Sequence, residues 1–516
     1  MKNFIIILAF SAFVQPPDFD SAVLLLSGAQ SMEELDENSL QHYRELVLRP
    51  LELNGASRNR LLSCGLFSAF QVASFLDWKQ RSGDVLSYVE LGLIDGFTPE
   101  IAEALKLFTL LESRAAPGAR RNTRFHSDLT LRAAAREHDG PGWNAGLKYK
   151  ASLGDVAELN WSTRNTYSDS KLSIGTLSSA YYGRRWLGKL VLGHFNARFG
   201  QGLAMWSGMS LSRYGSLSSF MRNGTGFTPT GSFSPEHFGL AADVDLGNWN
   251  IAAAYSLTER QPMAAVSYCG RRFTVGAFAS DRSCSADFKL GLKNLSLFGE
   301  LAWTGTPAGV AGLVWTPAYK RSFGITGSVK DGIYEWATGM SAWNCNAVIY
   351  LSPKKIKATM KYAPVISAGA SELQPALRIA ATHTDKWRFE GRGEFGASVG
   401  RWSFNVRADL VHSRQLSALA YIEGAWKVET FTVWLRGTAF AVDEWDDRIY
   451  VYERDAPGNF NVPAYYGRGW SAALNGAWKA SRRSSIYFRL SYLGYPWMTS
   501  EKPSKTEVKL QYTLKL

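Results

Sequence analysis

From about residue 126 to the last residue, apolar and polar side chains alternate with a period of two. In "RWSFNVRADL", Trp402, Phe404, Val406, Ala408 and Leu410 alternate with Ser403, Asn405, Arg407 and Asp409. "SADFKLGLKN" does the same, with Ala286, Phe288, Leu290 and Leu292 set against Asp287, Lys289, Gly291 and Lys293. The final "EVKLQYTLKL" puts Val508, Leu510, Tyr512, Leu514 and Leu516 on one face. Successive side chains of a strand point to opposite faces, so each segment predicts a strand with one apolar and one polar side. Turns rich in Gly, Asn, Asp, Ser or Arg separate the segments, and no helix-length stretch interrupts them.

Soluble sandwiches or propellers and transmembrane barrels both accept that pattern. A propeller would show a repeat of about 40 residues, and none is found. In a membrane barrel the apolar face meets lipid and aromatic residues gather at both strand ends. The chain has 18 Trp, 22 Tyr and 28 Phe, and Trp303, Trp315, Trp343, Trp426 and Trp478 fall near strand ends. The fold class expected is therefore mainly β: a transmembrane antiparallel barrel over residues 126–516. At roughly 17 residues per strand and turn it should have about 22 strands, an even number.

Residues 18–113 read differently. Leu, Ile, Val and Phe recur there at helical spacing, and Ser31–Glu34 and Thr98-Pro99-Glu100 look like helix starts. Before them, Lys2 and the apolar run Phe4–Val14 fit a secretory signal peptide, placed at residues 1–17. After them, "RAAPGARRNTR" opens a basic linker, residues 114–125. The four cysteines (Cys64, Cys269, Cys284, Cys345) make no disulfide framework and no metal-ligand spacing, and read as small packing residues.

Two stretches break the meander. Gln201–His237 is rich in Gly and Ser and carries Trp206, Phe220, Phe227 and Phe233. It fits either an ordered surface loop or a segment folded into the lumen. Ala441–Trp470 is irregular too, with four acids between Asp443 and Asp447.

"LLSCGLFSAFQVASFL" has the outline of a helix, a tight turn at Gly65 and a second helix, and a like turn follows at Gly96. With "SYVEL" between them, the region resembles the double helix-hairpin-helix module of the competence DNA receptor (ComEA type). Together with "RFGQGLAMWSG" (Phe199, Gly200, Gln201, Gly202 and Trp206 within it) and "FNVPAYYGRGW" (Tyr465, Tyr466, Gly467, Gly469), it resembles Bacteroidota outer-membrane helix-hairpin-helix domain-containing proteins. That resemblance implies a periplasmic helical domain before an outer-membrane barrel, and it supplies no settled activity. DNA-binding hairpins use a Gly-hydrophobic-Gly turn whose backbone N–H groups hold a phosphate. The turns here read Gly65-Leu66-Phe67 and Gly96-Phe97-Thr98, so the second glycine is lost both times.

Charge points the same way. Residues 18–113 hold 15 acids and 7 Lys or Arg, net −8, which leaves +19 on residues 114–516. DNA affinity comes mostly from cations meeting phosphates, so the acidic module reads as a hairpin repurposed for a protein partner, with DNA uptake as the alternative. The basic remainder belongs to linker, lumen and loops, and suits anionic lipid headgroups or solutes. The seven histidines are scattered and no nucleophile elbow, zinc or phosphate-loop motif is present. His194 and His237 flank the long insert, but nothing in the spacing joins them to Ser207. The expectation is a non-enzymatic outer-membrane protein of transport or envelope assembly, with no cofactor.

Overall fold

The computed structural model describes residues 19–516 except 36, 113–122, 139, 184–185, 209–213, 233–234, 271, 293, 319–320, 369–370 and 499–502. The expected signal peptide, most of the basic linker and Phe233 lie outside the described residues.

The alternating segments form one closed antiparallel sheet. It opens with β1 (Phe125–Glu137), β2 (Pro141–Leu153), β3 (Ala157–Thr166), β4 (Asp169–Tyr182) and β5 (Leu187–Arg198). A short infolded strand, β6 (Gly226–Pro229), precedes β7 (His237–Leu246). The last strand, Lys505–Lys515, pairs with β1 from Asp128↔Lys515 to Glu137↔Thr506, which shuts the ring and leaves the sheet without a free edge. The wall has 24 strands, close to the roughly 22 expected. Strands such as Trp249–Ser256, Phe273–Ser280 and Cys345–Ser352 are only 8 residues long, so the repeat is tighter than assumed.

The alternation sorts inside from outside. Trp402, Phe404, Val406 and Leu410 are exposed on the outer surface, while Arg407 and Asp409 are buried in the lumen. Val508 and Leu510 of the last strand, and Leu516 just past it, are exposed as well. Trp249, Trp315, Trp343, Trp402, Trp426 and Trp478 ring the rim nearest the chain ends. Trp143, Trp303, Trp336 and Trp387 ring the opposite rim. An apolar band between two aromatic girdles is the surface that hydrocarbon and headgroups select. Cys64, Cys269 and Cys345 are buried as expected, but Cys284 is exposed. It pairs with the outward-facing Trp303, so it lies on the outer surface and packs no core.

The N-terminal residues form a helical unit: α1 (Phe19–Ser27), α2 (Glu37–Leu48), α3 (Arg58–Ser63), α4 (Ala69–Ser82), α5 (Tyr88–Leu91) and α6 (Pro99–Leu105). A two-residue parallel bridge, Leu51↔Thr109 and Glu52↔Leu110, ties its start to its end. Leu40, Leu53, Leu61, Leu91, Leu105 and Phe108 are large, fully buried side chains of its core. α3 and α4 flank the turn at Gly65, and α5 and α6 flank the turn at Gly96. Their turns pack on each other through Phe67 and Phe97, whose ring centroids are 5.9 Å apart.

Closure depends on the last strand. Deleting residues 507–516 is expected to remove the partner of β1 and abolish assembly. The readout is loss of the heat-sensitive mobility shift of a folded barrel in detergent gels; a normally shifting truncation would place the closing contact elsewhere.

Candidate functional site: the barrel lumen

A closed sheet of 24 strands encloses far more space than its own side chains can fill. Three pieces of the chain occupy that space. The first is the helical unit, which does not stand clear of the barrel as a separate periplasmic domain would. It lies against the inner wall in the half nearest the chain ends, touching strands on several sides.

Its acids meet wall cations. Glu33 faces Arg407 at 2.5 Å and Arg392 at 3.4 Å. Glu34 faces Arg378 at 3.4 Å, and Glu45 lies 2.5 Å from Lys148 and 2.9 Å from Lys150. Three contacts run the other way: Arg49 to Asp128 at 2.6 Å, Arg60 to Glu158 at 3.2 Å, and Asn59 to Asp245. Lys189 donates to Ser63 Oγ at 2.9 Å, and Lys361 donates to the Gln30 carbonyl. Burial alone would raise the Glu33 carboxyl, but the guanidiniums of Arg392 and Arg407 and the Tyr452 N–H outweigh it and hold it far below the usual carboxylate range. His42, by contrast, is pushed below its ordinary value by burial.

The second piece is the insert between β5 and β7, for which surface loop and lumen segment were both open. The lumen reading holds. Leu203, Leu217 and Phe220 are buried against the inward residues Phe298, Val310, Ala337 and Val348 of the wall. The turn Phe199–Gly202 anchors it. The Gln201 and Leu203 N–H groups donate to Glu300 Oε2 at 2.7 and 3.1 Å. A Cβ at Gly200 would lie 2.7 Å from that carboxyl carbon, at a φ of +56°, so glycine alone lets the backbone come this close. Gly202 turns the chain beside Trp206, whose ring has Arg198 and Arg222 at 5.5 and 4.9 Å. Phe199 packs on Phe227 and Phe278, both at 4.9 Å.

The third piece is the excursion from Asp443 to Tyr466, which drops from the same rim as the second. Glu453 pairs with Arg489 and accepts from Tyr465; Asp455 meets Lys509 at 2.6 Å. Burial would raise the Glu453 carboxyl, and Arg489 with the Tyr465 hydroxyl reverses that and holds it low. Tyr466 packs on Trp445 at 4.7 Å, near the rim. Gly467 begins the next wall strand, and a Cβ at Gly469 would lie 2.1 Å from the Gly494 carbonyl oxygen. The excursion reaches the helical unit: Arg44 donates to the Tyr452 hydroxyl at 2.6 Å, and Tyr452 joins the helical core.

The hairpin turns are closed to ligands in a specific way. Ser68 caps α4, accepting from Gln71 N at 3.1 Å while Gln71 Oε1 accepts from Ser68 N at 2.8 Å. Thr98 caps α6, accepting from Ile101 N at 3.3 Å, as the sequence suggested. Leu66, Phe67 and Phe97 are buried, and Gly65 faces Thr225 of the second piece. Gln71 Nε2 donates to the Gly96 carbonyl at 2.8 Å.

Glu33, Glu34, Glu45, Glu300, Glu453 and Asp455 were not singled out from sequence. The signal that could have found the first three is the −8 against +19 division, whose halves were read above separately, the acidic one for a protein partner and the basic one for lipid or solutes.

The fold thus defines a closed β-barrel whose lumen is filled by its own chain. No family model matches the sequence, and no curated protein matches it either. Among solved structures, OccK2 (OpdF) of Pseudomonas aeruginosa is similar at 9% identity and a TM-score of 0.33, over 76% of this chain and 98% of that one. A BenF-like porin from Pseudomonas fluorescens Pf-5 gives 10% and 0.32, over 76% and 99%. The translocation pore of the P pilus usher PapC gives 8% and 0.38, over 76% and 99%. Neither identity nor superposition carries a function across.

The Glu33 contacts generate a test. A carboxyl held below its ordinary value of 4.5 contributes stability that is complete above that pH and is lost as pH falls through the folded value. Hydrogen exchange in α1 and α2 is therefore expected to quicken below about pH 4.5. Glu33→Gln should speed it at neutral pH, by about 3 kcal/mol of lost protection, and flatten part of the acid response. Unchanged exchange at both pH values would remove Glu33 from the docking contact.

Proposed function

We propose that this chain is an outer-membrane barrel serving transport or envelope assembly, its axial path closed by its own helical unit. The observation that carries the reading is the set of ion pairs from Glu33, Glu34 and Glu45 to Arg378, Arg392, Arg407, Lys148 and Lys150. The first partner of the helical unit is thus the barrel itself. Opening the path requires these contacts to be exchanged for others, which makes the helical unit a gate.

A protein partner fits the other side of the unit. Leu86, Val89 and Leu93 are exposed on and around α5, amid Asp84, Glu90 and Asp95. An apolar patch with acidic surroundings suits a periplasmic segment that is apolar and basic. DNA uptake is the weaker reading: Ser68 and Thr98 cap the N-termini of α4 and α6, the loops lack the second glycine, and the unit carries net −8.

Removing residues 19–112 is expected to convert a closed or low-conductance barrel into an open one in planar bilayers. The heat-sensitive gel shift serves as the control for correct assembly. An assembled deletion that stays closed would make the barrel a scaffold. Removing 201–236 alone should raise conductance less, because the helical unit stays in place.

A further inference from the structure

The outer wall is not evenly covered. On the strands Cys345–Ser352, Lys355–Tyr362, Ser371–His383, Trp387–Val399 and Trp402–His412, two outward rows run side by side across the sheet. One row pairs Ile349, Ala358, Ala381, Phe389 and His412 in turn. The other pairs Ala347, Met360, Ile379, Gly391 and Leu410. Over the small members Ala347, Ala358, Ala381 and Gly391 lies a hollow of about 570 Å³, walled by the large ones. Ligand pockets run from roughly 300 to 1,000 Å³, so this one has the volume to hold a bound molecule. A Cβ on Gly391 would meet nothing within 4 Å, so the space over it is open. Glu390 borders the hollow but turns to Arg388, 2.6 Å away on the inner side.

The hollow ends at one rim, beneath a basic sector. His412 and its register partner Leu416 close that end. The turns directly above, 353–354, 384–386 and 413–415, carry Lys354, Lys386 and Arg414 against Asp385, and Lys355 opens the next strand. Lys386 reaches Asp446 at 3.2 Å. Lys354, Lys355 and Arg414 are exposed and make no ion pair among the described residues. Along the four preceding turns of this rim charge is balanced, with Glu259, Asp281 and Asp331 against Arg260, Arg282 and Lys330. Both long inserts hang from the same rim. Long loops of outer-membrane barrels lie outside and short turns in the periplasm, so the hollow opens into the outer leaflet. An imidazole facing hydrocarbon is costly unless a polar head reaches it. Cations above an apolar groove match a phosphate that carries acyl chains.

We propose that this groove binds an anionic outer-leaflet lipid, with one acyl chain over Ala358, Ala381 and Gly391 and a phosphate held by His412, Arg414, Lys354 and Lys355. A second copy of the barrel would bring its own apolar band here and leave those cations without counter-charge. The site lies outside the wall and does not depend on the gate.

The experiment uses the full chain, folded in detergent and mixed with bisphosphorylated lipid A, the same lipid stripped of both phosphates, or phosphatidylcholine. Native mass spectrometry is expected to show one bisphosphorylated lipid A retained saturably, severalfold more tightly than either of the others. Gly391→Leu fills the hollow and should weaken that retention about tenfold. Gly437→Leu is the control: it lies beside the exposed Ile422 on another sector of the outer wall, and a Cβ there also meets nothing within 4 Å. It should leave retention unchanged. Replacing Lys354, Lys355 and Arg414 together by Gln should erase the preference for phosphate and spare binding of the stripped lipid. The heat-sensitive gel shift checks that each variant assembles. Equal retention of the phosphorylated and stripped lipids overturns the proposal, as does unsaturable uptake or unchanged retention in Gly391→Leu. A dimer that disappears with Gly391→Leu would overturn it too, by giving the groove to a second copy.

Discussion

Everything inside this barrel depends on matching buried charge. Arg378, Arg392, Arg407, Lys148 and Lys150 project from the wall into a space shielded from bulk water. Cations so placed carry a large desolvation cost unless counter-charges reach them. The wall supplies some of its own, as Asp409 does for Arg392 and Arg407. The rest come from the helical unit, whose acids lie where the chain enters. The same electrostatics that would make the unit a poor DNA ligand makes it a good lining for a basic barrel.

The two infolded segments complete the filling from the opposite rim. Each is held by a carboxylate, but the two anchors are built differently. At Glu300 the wall offers the acid and the segment brings backbone N–H groups, which is why the motif around Gly200 needs glycine. At Glu453 and Asp455 the segment brings the acids and the wall brings Arg489 and Lys509. The third segment then meets the helical unit at Tyr452 and Arg44, and the Tyr452 N–H also donates to Glu33. A displacement of α1 and α2 therefore disturbs Tyr452 as well, which couples the closure at one rim to the segment hung from the other.

The sequence made the wall legible because one physical rule, two faces for two solvents, is written into every strand. Phe404 outside and Arg407 inside follow directly from their parity. Strand number was less legible, since it depends on turns and on strands as short as Phe273–Ser280, which composition does not mark. The cap at Thr98 was local and readable. What was not readable was where the helical unit sits, because ion pairs between Glu33 and Arg407 span 374 residues and leave only a net charge behind. Nor was it readable that Phe67 packs on Phe97, which follows the turn at Gly96.

The filling of the axis is held by ion pairs, which weaken with acid as Glu33 is protonated.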